Sequence, residues 1–148
     1  MKVGFTGTRE GLTKDQATKL AGFLVSRQYE EFHHGCCTGA DERALEIVKS
    51  GFRVIKAVAH PGPECAYTSH RARRLSDEVR PMRHFLTRNC NIVKETDVLL
   101  ACPGEMSEVQ RSGTWATVRY ARKQKKPVIY FWPDGTMMEC SNCPLHPW

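Results

Sequence analysis

Five apolar runs of strand length alternate along the chain with stretches whose apolar residues recur every three or four positions. The first run, KVGFTG (2–7), ends in glycine, as a buried strand does before a turn. Thr13 and Gln16 then stand three apart as in a capping box. Leu20, Phe23 and Leu24 follow at helical spacing, with Ala17 one turn earlier. YEEFHH (29–34) predicts a second strand. GADERALEIVKSG (39–51) predicts a helix that turns Leu45 and Val48 inward, with Ile47 beside them and Gly51 as its stop. FRVIKAVAH (52–60) predicts a third strand and DVLLACP (97–103) a fourth, with the helical HFLTRNCNIVKET (84–96) before the latter. SGTWATVRYARKQKK (112–126) predicts a last helix and PVIYFWP (127–133) a fifth strand. Residues 61–83, with Pro61, Pro63, Pro81 and many charges, predict a long surface excursion that could serve as a flap over a site. Residues 136–148 predict an irregular C-terminal tail.

Strands alternating with helices predict a single α/β domain over residues 1–135. It should have about five mostly parallel strands with helices on both faces. A length of 148 residues fits one such domain. No apolar stretch approaches a membrane span, and MKVGFTGTRE lacks the long apolar core of a secretory signal, so no membrane partner and a cytoplasmic location are expected. Seven cysteines cannot all pair within one chain, and mostly reduced thiols are expected. A formal charge of +6 and a pI near 9.0 favour anionic partners. The densest basic clusters are HRARRL (70–75) and RKQKK (122–126), the second read as the solvated end of a helix.

Three segments end a strand and open a helix: TGTRE (6–10), HHGCCTGAD (33–41) and PGEMSEVQRSGTW (103–115). In an open parallel sheet, ligands bind at this edge. Glycine allows close backbone approach, and the free N–H groups of a helix start attract an anion. Thr6, Thr8, Thr38, Ser112 and Thr114 add hydroxyl donors, and Arg9 and Arg111 add charge. The pattern points to a phosphate or nucleotide; its alternative is turn and cap chemistry alone. Neither G-x-x-x-x-G-K-[ST] nor G-x-G-x-x-G is present, which argues against a magnesium-dependent NTPase and a conventional NAD dehydrogenase.

Taken in order, GFTGTRE, FHHGCCTGAD, RNCNIVKETDVLLACP and RSGTWATVRYARKQKKPVIYFWPDG resemble the SLOG superfamily. This Rossmann-like group includes the LOG phosphoribohydrolases and the DNA-processing protein DprA, and the resemblance is strongest to small stand-alone bacterial or phage members. It covers residues 1 to about 135. The resemblance implies a nucleotide pocket with Gly7, Thr8 and Arg9 on one side and Gly39, Ala40 and Asp41 in the middle. Ser112, Gly113 and Thr114 would hold a phosphate, and Arg88 and Asn89 would reach a base or ribose. Thr6, His34, Gly35, Thr38, Arg111 and Trp115 complete the expected ligand-binding set, Trp115 either stacking on a base or filling the groove between helix and sheet.

Two departures bear on activity. LOG-type hydrolases carry a glutamate just after the glycine-threonine turn, where this chain has SGTWATVRY and no carboxylate. The nearby acids, Glu105 and Glu108, precede the turn, so Asp41 is the acid left for a hydrolase. The related loop also often carries a carboxylate where Cys36 stands. The expected function is therefore binding of a nucleotide or nucleotide-derived signal, in a setting such as phage or bacterial defence. The alternatives are a nucleoside monophosphate N-glycoside hydrolase or transferase, and DprA-like DNA binding. A homo-oligomer is expected, paired through the helices near 85–95 and 116–124.

Cys36 or Cys37 could act as a nucleophile only with a lowered pKa, and a cysteine in a buried loop is usually a packing residue. CSNCPLH (140–146) offers Cys140, Cys143 and His146, a single knuckle where a structural zinc site needs four ligands; His33, His34, His60 and Cys65 lie elsewhere. Free thiols in a turn, and no metal or cofactor, are expected.

Overall fold

The computed structural model describes residues 1–51 and 53–141. In chain order, β1 (Lys2–Gly7), α1 (Lys14–Ser26), β2 (Glu31–His34), α2 (Ala40–Ser50) and β3 (Lys56–Ala59) form the first half. Then come α3 (His70–Leu75), β4 (Glu78–Val79), α4 (Phe85–Lys94), β5 (Val98–Cys102), α5 (Gly113–Lys123), β6 (Val128–Phe131) and β7 (Met137–Cys140). The seven strands make one sheet in the order β4-β3-β2-β1-β5-β6-β7. Every pairing is parallel except β6 with β7. This is the single α/β domain expected, with two more strands.

Both extra strands sit at sheet edges. β4 comes from the proline-rich excursion, where the Asp77 amide donates to Ala57 O (2.9 Å) and its carboxylate accepts from Ala57 N (2.7 Å) and Lys49 Nζ (2.5 Å). Two residues are too few to show period-two alternation, so the pattern could not reveal it. β7 arises from the expected tail through the turn at Pro133-Asp134-Gly135. Gly135 takes φ +88, Asp134 accepts from Thr136 N (2.9 Å), and Trp132 N donates to Thr136 O (2.9 Å). A Pro-Asp-Gly between apolar residues is a turn signal, and it was legible. Cys140 is disulfide-bonded rather than a free thiol. Cys143 and His146 lie outside the described residues.

Side chains alternate across each strand, and that alternation divides the core. On one face Phe5, Phe32, Leu100 and Phe131 pack under α1, α2 and α3, with Leu20, Leu45 and Val48 inward as their spacing predicts. On the other, Leu99, Ala101, Val128 and Tyr130 pack under α4 and α5 against Ile92, Trp115 and Val118. Burying a side chain of this size contributes about 1.5–3 kcal/mol. α1 starts where expected, with a complete capping box between Thr13 and Gln16. The RKQKK segment is less solvated than its charge suggests. Arg122 donates to Tyr130 Oη (2.7 Å) and to Glu108, and Lys126 to Thr96 O. Among the described residues no helix is long and apolar enough to cross a membrane.

Candidate functional site

The strand order reverses between β1 and β5: from β1 the chain winds outward through β2, β3 and β4, and from β5 it winds the other way. The loops leaving these strands must therefore diverge, opening a crevice at the carboxyl edge. A cavity of about 350 Å³ lies there. Thr6, Gly7, Thr8 and Arg9 line it from the β1 loop, and Gly35 and Asp41 from the β2 loop. Arg88 and Asn89 enter from α4. Arg111, Ser112, Gly113 and Thr114 close it at the start of α5. Two larger hollows, of about 620 and 690 Å³, run along α1; the second is lined by Gly11, Leu12 and Thr13 at the far end of the β1 loop, and neither receives the β2 or β5 loop.

Five expected residues fall outside the lining. His34 is fully buried, where its Nδ1 accepts from Cys36 N (3.1 Å) and its Nε2 therefore donates to Ser76 Oγ (2.7 Å). Burial pushes its pKa down to about 3, so the ring stays neutral. Thr38 joins the excursion, its N–H donating to Tyr67 O (2.8 Å). Gly39 and Ala40 clasp the β1 loop: Ala40 N donates to Thr8 O (3.0 Å), and a Cβ on Gly39, at φ +83, would sit 2.2 Å from Arg9 O. Trp115 is core, packed with tilted rings against Tyr130 and Trp132 and with its Nε1 donating to Glu105 Oε1 (2.9 Å). It fills the groove between helix and sheet and has no face left for a base.

The excursion is not a flap over this cavity. Ser69 N donates to Cys36 O (2.9 Å), and Thr68 bridges to Cys37, which binds the segment to the outer side of the β2 loop. Tyr67 meets the rim only through Arg9, whose guanidinium lies 4.4 Å from the ring centroid.

Inside the cavity the charges are mixed. The Asp41 Oδ2 accepts from Gly35 N (3.0 Å) and Cys37 N (3.2 Å). Burial nevertheless pushes its carboxyl up to about 6, against the pull of Arg88 and these two N–H groups. Arg88, itself buried, donates to Gly35 O, to His60 O (3.2 Å) and through Nε to Asn89 Oδ1 (2.7 Å). Burial raises the Cys36 thiol to about 11 and the Cys37 thiol to about 12, so neither is a thiolate near neutrality. At α5, Ser112 Oγ accepts from Trp115 N (3.3 Å) and Ser112 O from Ala116 N (2.9 Å), which leaves the Gly113 and Thr114 N–H groups of the first turn without a partner among the described residues.

Glu105 also lines the cavity, with Phe5, Ile92, Gly104 and Val109, none of them in the expected ligand-binding set; Cys37, a candidate only as a nucleophile, lines it too. Glu105 was noted only as an acid before the turn. The signal was Trp115: a buried indole N–H needs an acceptor, and the loop above it offers two carboxylates. Glu108, the other one, pairs instead with Arg122 and with Arg119 (3.5 Å).

No protein-family model matches the sequence, and no curated protein matches it. Solved structures do match by fold. A molybdenum cofactor binding protein from the phototrophic bacterium Rippkaea orientalis is similar with a TM-score of 0.64 and 21% identity, over 89% of this chain and 77% of that one. A structural-genomics target, TM1055, is similar at 0.61 and 19% identity, over 86% of this chain and 72% of that one. DNA processing protein A (DprA) from Streptococcus pneumoniae is similar at 0.64 and 21% identity, over 87% of this chain. The chain spans about half, 49%, of that DprA structure. At these identities the likeness establishes the fold, which agrees with the Rossmann-like architecture implied by the sequence resemblance.

Proposed function

We propose that the chain is a SLOG-type protein that binds a nucleotide or nucleotide-derived small molecule in the cavity at the β1/β5 edge. The carrying observation is convergence. Arg9, Arg88 and Arg111 and the first turn of α5 all reach one cavity of about 350 Å³, at the strand-order reversal. A helix start and guanidinium groups favour phosphate oxygens, and the apolar Phe5, Ile92 and Val109 in the same wall suit a base or sugar face. The similar structures include one named for cofactor binding and one for DNA processing, which fits a ligand of this class without choosing it.

Calorimetric titration with a panel of adenine, guanine and cytosine nucleotides, cyclic nucleotides and ADP-ribose tests this reading. At least one class should bind at micromolar affinity or tighter, and Arg111→Ala should weaken it about tenfold, the scale of one charge-assisted hydrogen bond. No heat with any member, at low salt and high protein concentration, would overturn it.

A second reading, N-glycoside cleavage of a nucleoside monophosphate, is favoured by one observation. Asp41 is a cavity carboxyl held partly protonated near pH 6, as a general acid is, and a second acidic residue, Glu105, stands in the same cavity. In this reading Asp41 protonates the leaving base as the C–N bond breaks, Glu105 stabilises the cationic sugar, and a solvent water adds to the anomeric carbon and returns a proton to Asp41. Release of free base from a monophosphate, abolished by Asp41→Asn, would establish it in place of simple binding.

A further inference from the structure

The face of β2 opposite the main core carries a second cluster, outside the cavity just described. Glu31 and His33 lie two apart on β2 and so share this face. His60 follows β3, the neighbouring strand, held by its N–H to His34 O (2.8 Å). Glu95 is the C-cap residue of α4, with its N–H bonded to Asn91 O. The tertiary fold thus brings His33, His60 and Glu95 together, with one potential ligand atom from each lying within 4.8 Å of the others.

Three potential ligand atoms in this cluster share one proton. His33 Nε2 lies 2.7 Å from Glu31 Oε2, so that nitrogen carries the proton and Nδ1 presents a lone pair. His60 Nε2 lies 2.8 Å from that Nδ1 and 3.4 Å from Glu95 Oε2. A single proton on His60 Nε2 can serve one of these acceptors well. A cation would serve all three atoms together. Both rings are buried, and the fold points these two nitrogens at each other.

We propose that His33 Nδ1, His60 Nε2 and Glu95 Oε2 form a binding site for a divalent transition metal of the zinc or cobalt class. Two imidazoles and one carboxylate are a set these ions accept, with a remaining position for water. Glu31, bonded to the far nitrogen of His33, supplies the outer carboxylate that orients a metal-bound imidazole. A hollow of about 270 Å³, lined by His60, Asn91 and Glu95 among others, gives the ion an entry and the water a place. Tetrahedral ligation at about 2.0–2.1 Å needs the two nitrogens about 3.3 Å apart. The rings must therefore separate by a few tenths of an ångström, and His60 must carry its proton on Nδ1. Arg80 holds Glu95 through the other oxygen (Oε1, 2.9 Å), leaving Oε2 for the metal.

The test is titration of chelator-stripped full-length protein with Co²⁺, followed by visible absorption and calorimetry. One equivalent should bind at micromolar affinity or tighter, with the intense visible bands of a low-coordinate cobalt. His60→Ala and Glu95→Gln should each weaken binding at least about tenfold, and Glu31→Gln by about 10–100-fold. Glu95 is about one-third exposed (35%), so Glu95→Gln decides the matter if His60→Ala does not fold. Absence of stoichiometric uptake by the wild type, unchanged affinity in Glu95→Gln, or a sulfur-to-cobalt charge-transfer band would each overturn the assignment. Neither His33, His60 nor Glu95 lines the nucleotide cavity, so failure here leaves the proposed nucleotide site standing, and the reverse also holds.

Discussion

The loops after β2 and β5 perform the same topological task and meet across one cavity, yet they are built in opposite ways. In the β2 loop almost every polar group is spent internally. The Thr8 carbonyl takes Ala40 N–H, the Asp41 carboxylate takes the amides of Gly35 and Cys37, and Arg88 takes the Gly35 and His60 carbonyls. In the β5 loop, Ser112 caps the helix once, Arg111 is exposed, and Gly113 opens onto the cavity. Two helix starts with similar glycine and hydroxyl content thus have different roles. The α2 start is a wall already filled by the protein's own carboxylate and carbonyl; the α5 start leaves the Gly113 and Thr114 N–H groups open at the cavity.

Paired substitutions can break that comparison. The largest contrast is expected between Gly39→Ala and Gly113→Ala. A Cβ at Gly39 meets backbone 2.2 Å away and an unfavourable φ of +83, whereas at Gly113 it meets open space. Denaturant unfolding should show a loss of about 3 kcal/mol or more for the first and a change within about 1 kcal/mol for the second. Equal effects would mean that the two loops are equally tight.

Next is Arg88→Ala against Arg111→Ala. The first strands the His60 carbonyl, leaves the Gly35 carbonyl only the weak Cys37 thiol donor (3.5 Å), and should cost about 2–3 kcal/mol. The second removes an exposed side chain and should stay within about 0.5 kcal/mol in thermal unfolding while losing nucleotide affinity.

The smallest effect is a slope with pH. His34 and His60 have pKa values near 3 in the fold against 6.5 ordinarily, so below pH 6.5 the unfolded chain takes up protons that the fold refuses. Stability therefore falls on acidification. Asp41 acts in the opposite sense: raised from 3.8 to about 6, it keeps its proton in the fold while the unfolded chain ionises, so its contribution declines as pH rises through that window. Two histidines against one carboxyl leave a net loss toward acid. His34→Gln should flatten the slope between pH 6 and 4 by about 1.4 kcal/mol per pH unit. An unchanged slope would mean that His34 is protonated in the fold.

Most of the cavity was legible in the sequence because its residues sit in three short runs, each marked by glycine at the end of an apolar strand. The misses share one cause. His34, Thr38, Gly39, Ala40 and Trp115 are adjacent in sequence to lining residues, and adjacency does not say which neighbour faces the cavity. Phe32 and His34 share a face of β2 that packs under α2, while His33 faces the other way toward α4. Glu105 escaped notice because its placement depends on a partner ten residues away, the Trp115 indole.

Taken alone, the sequence determined the layering, the core faces of α1 and α2, and the three loops that had to lie at one edge, because periodicity and turn chemistry are local properties. The tertiary structure decided which polar groups were used up and which were left open. It also added the two edge strands and brought His33, His60 and Glu95 together from three separate elements. Those outcomes rest on hydrogen-bond saturation and strand pairing between distant segments, and only the completed fold sets these distances.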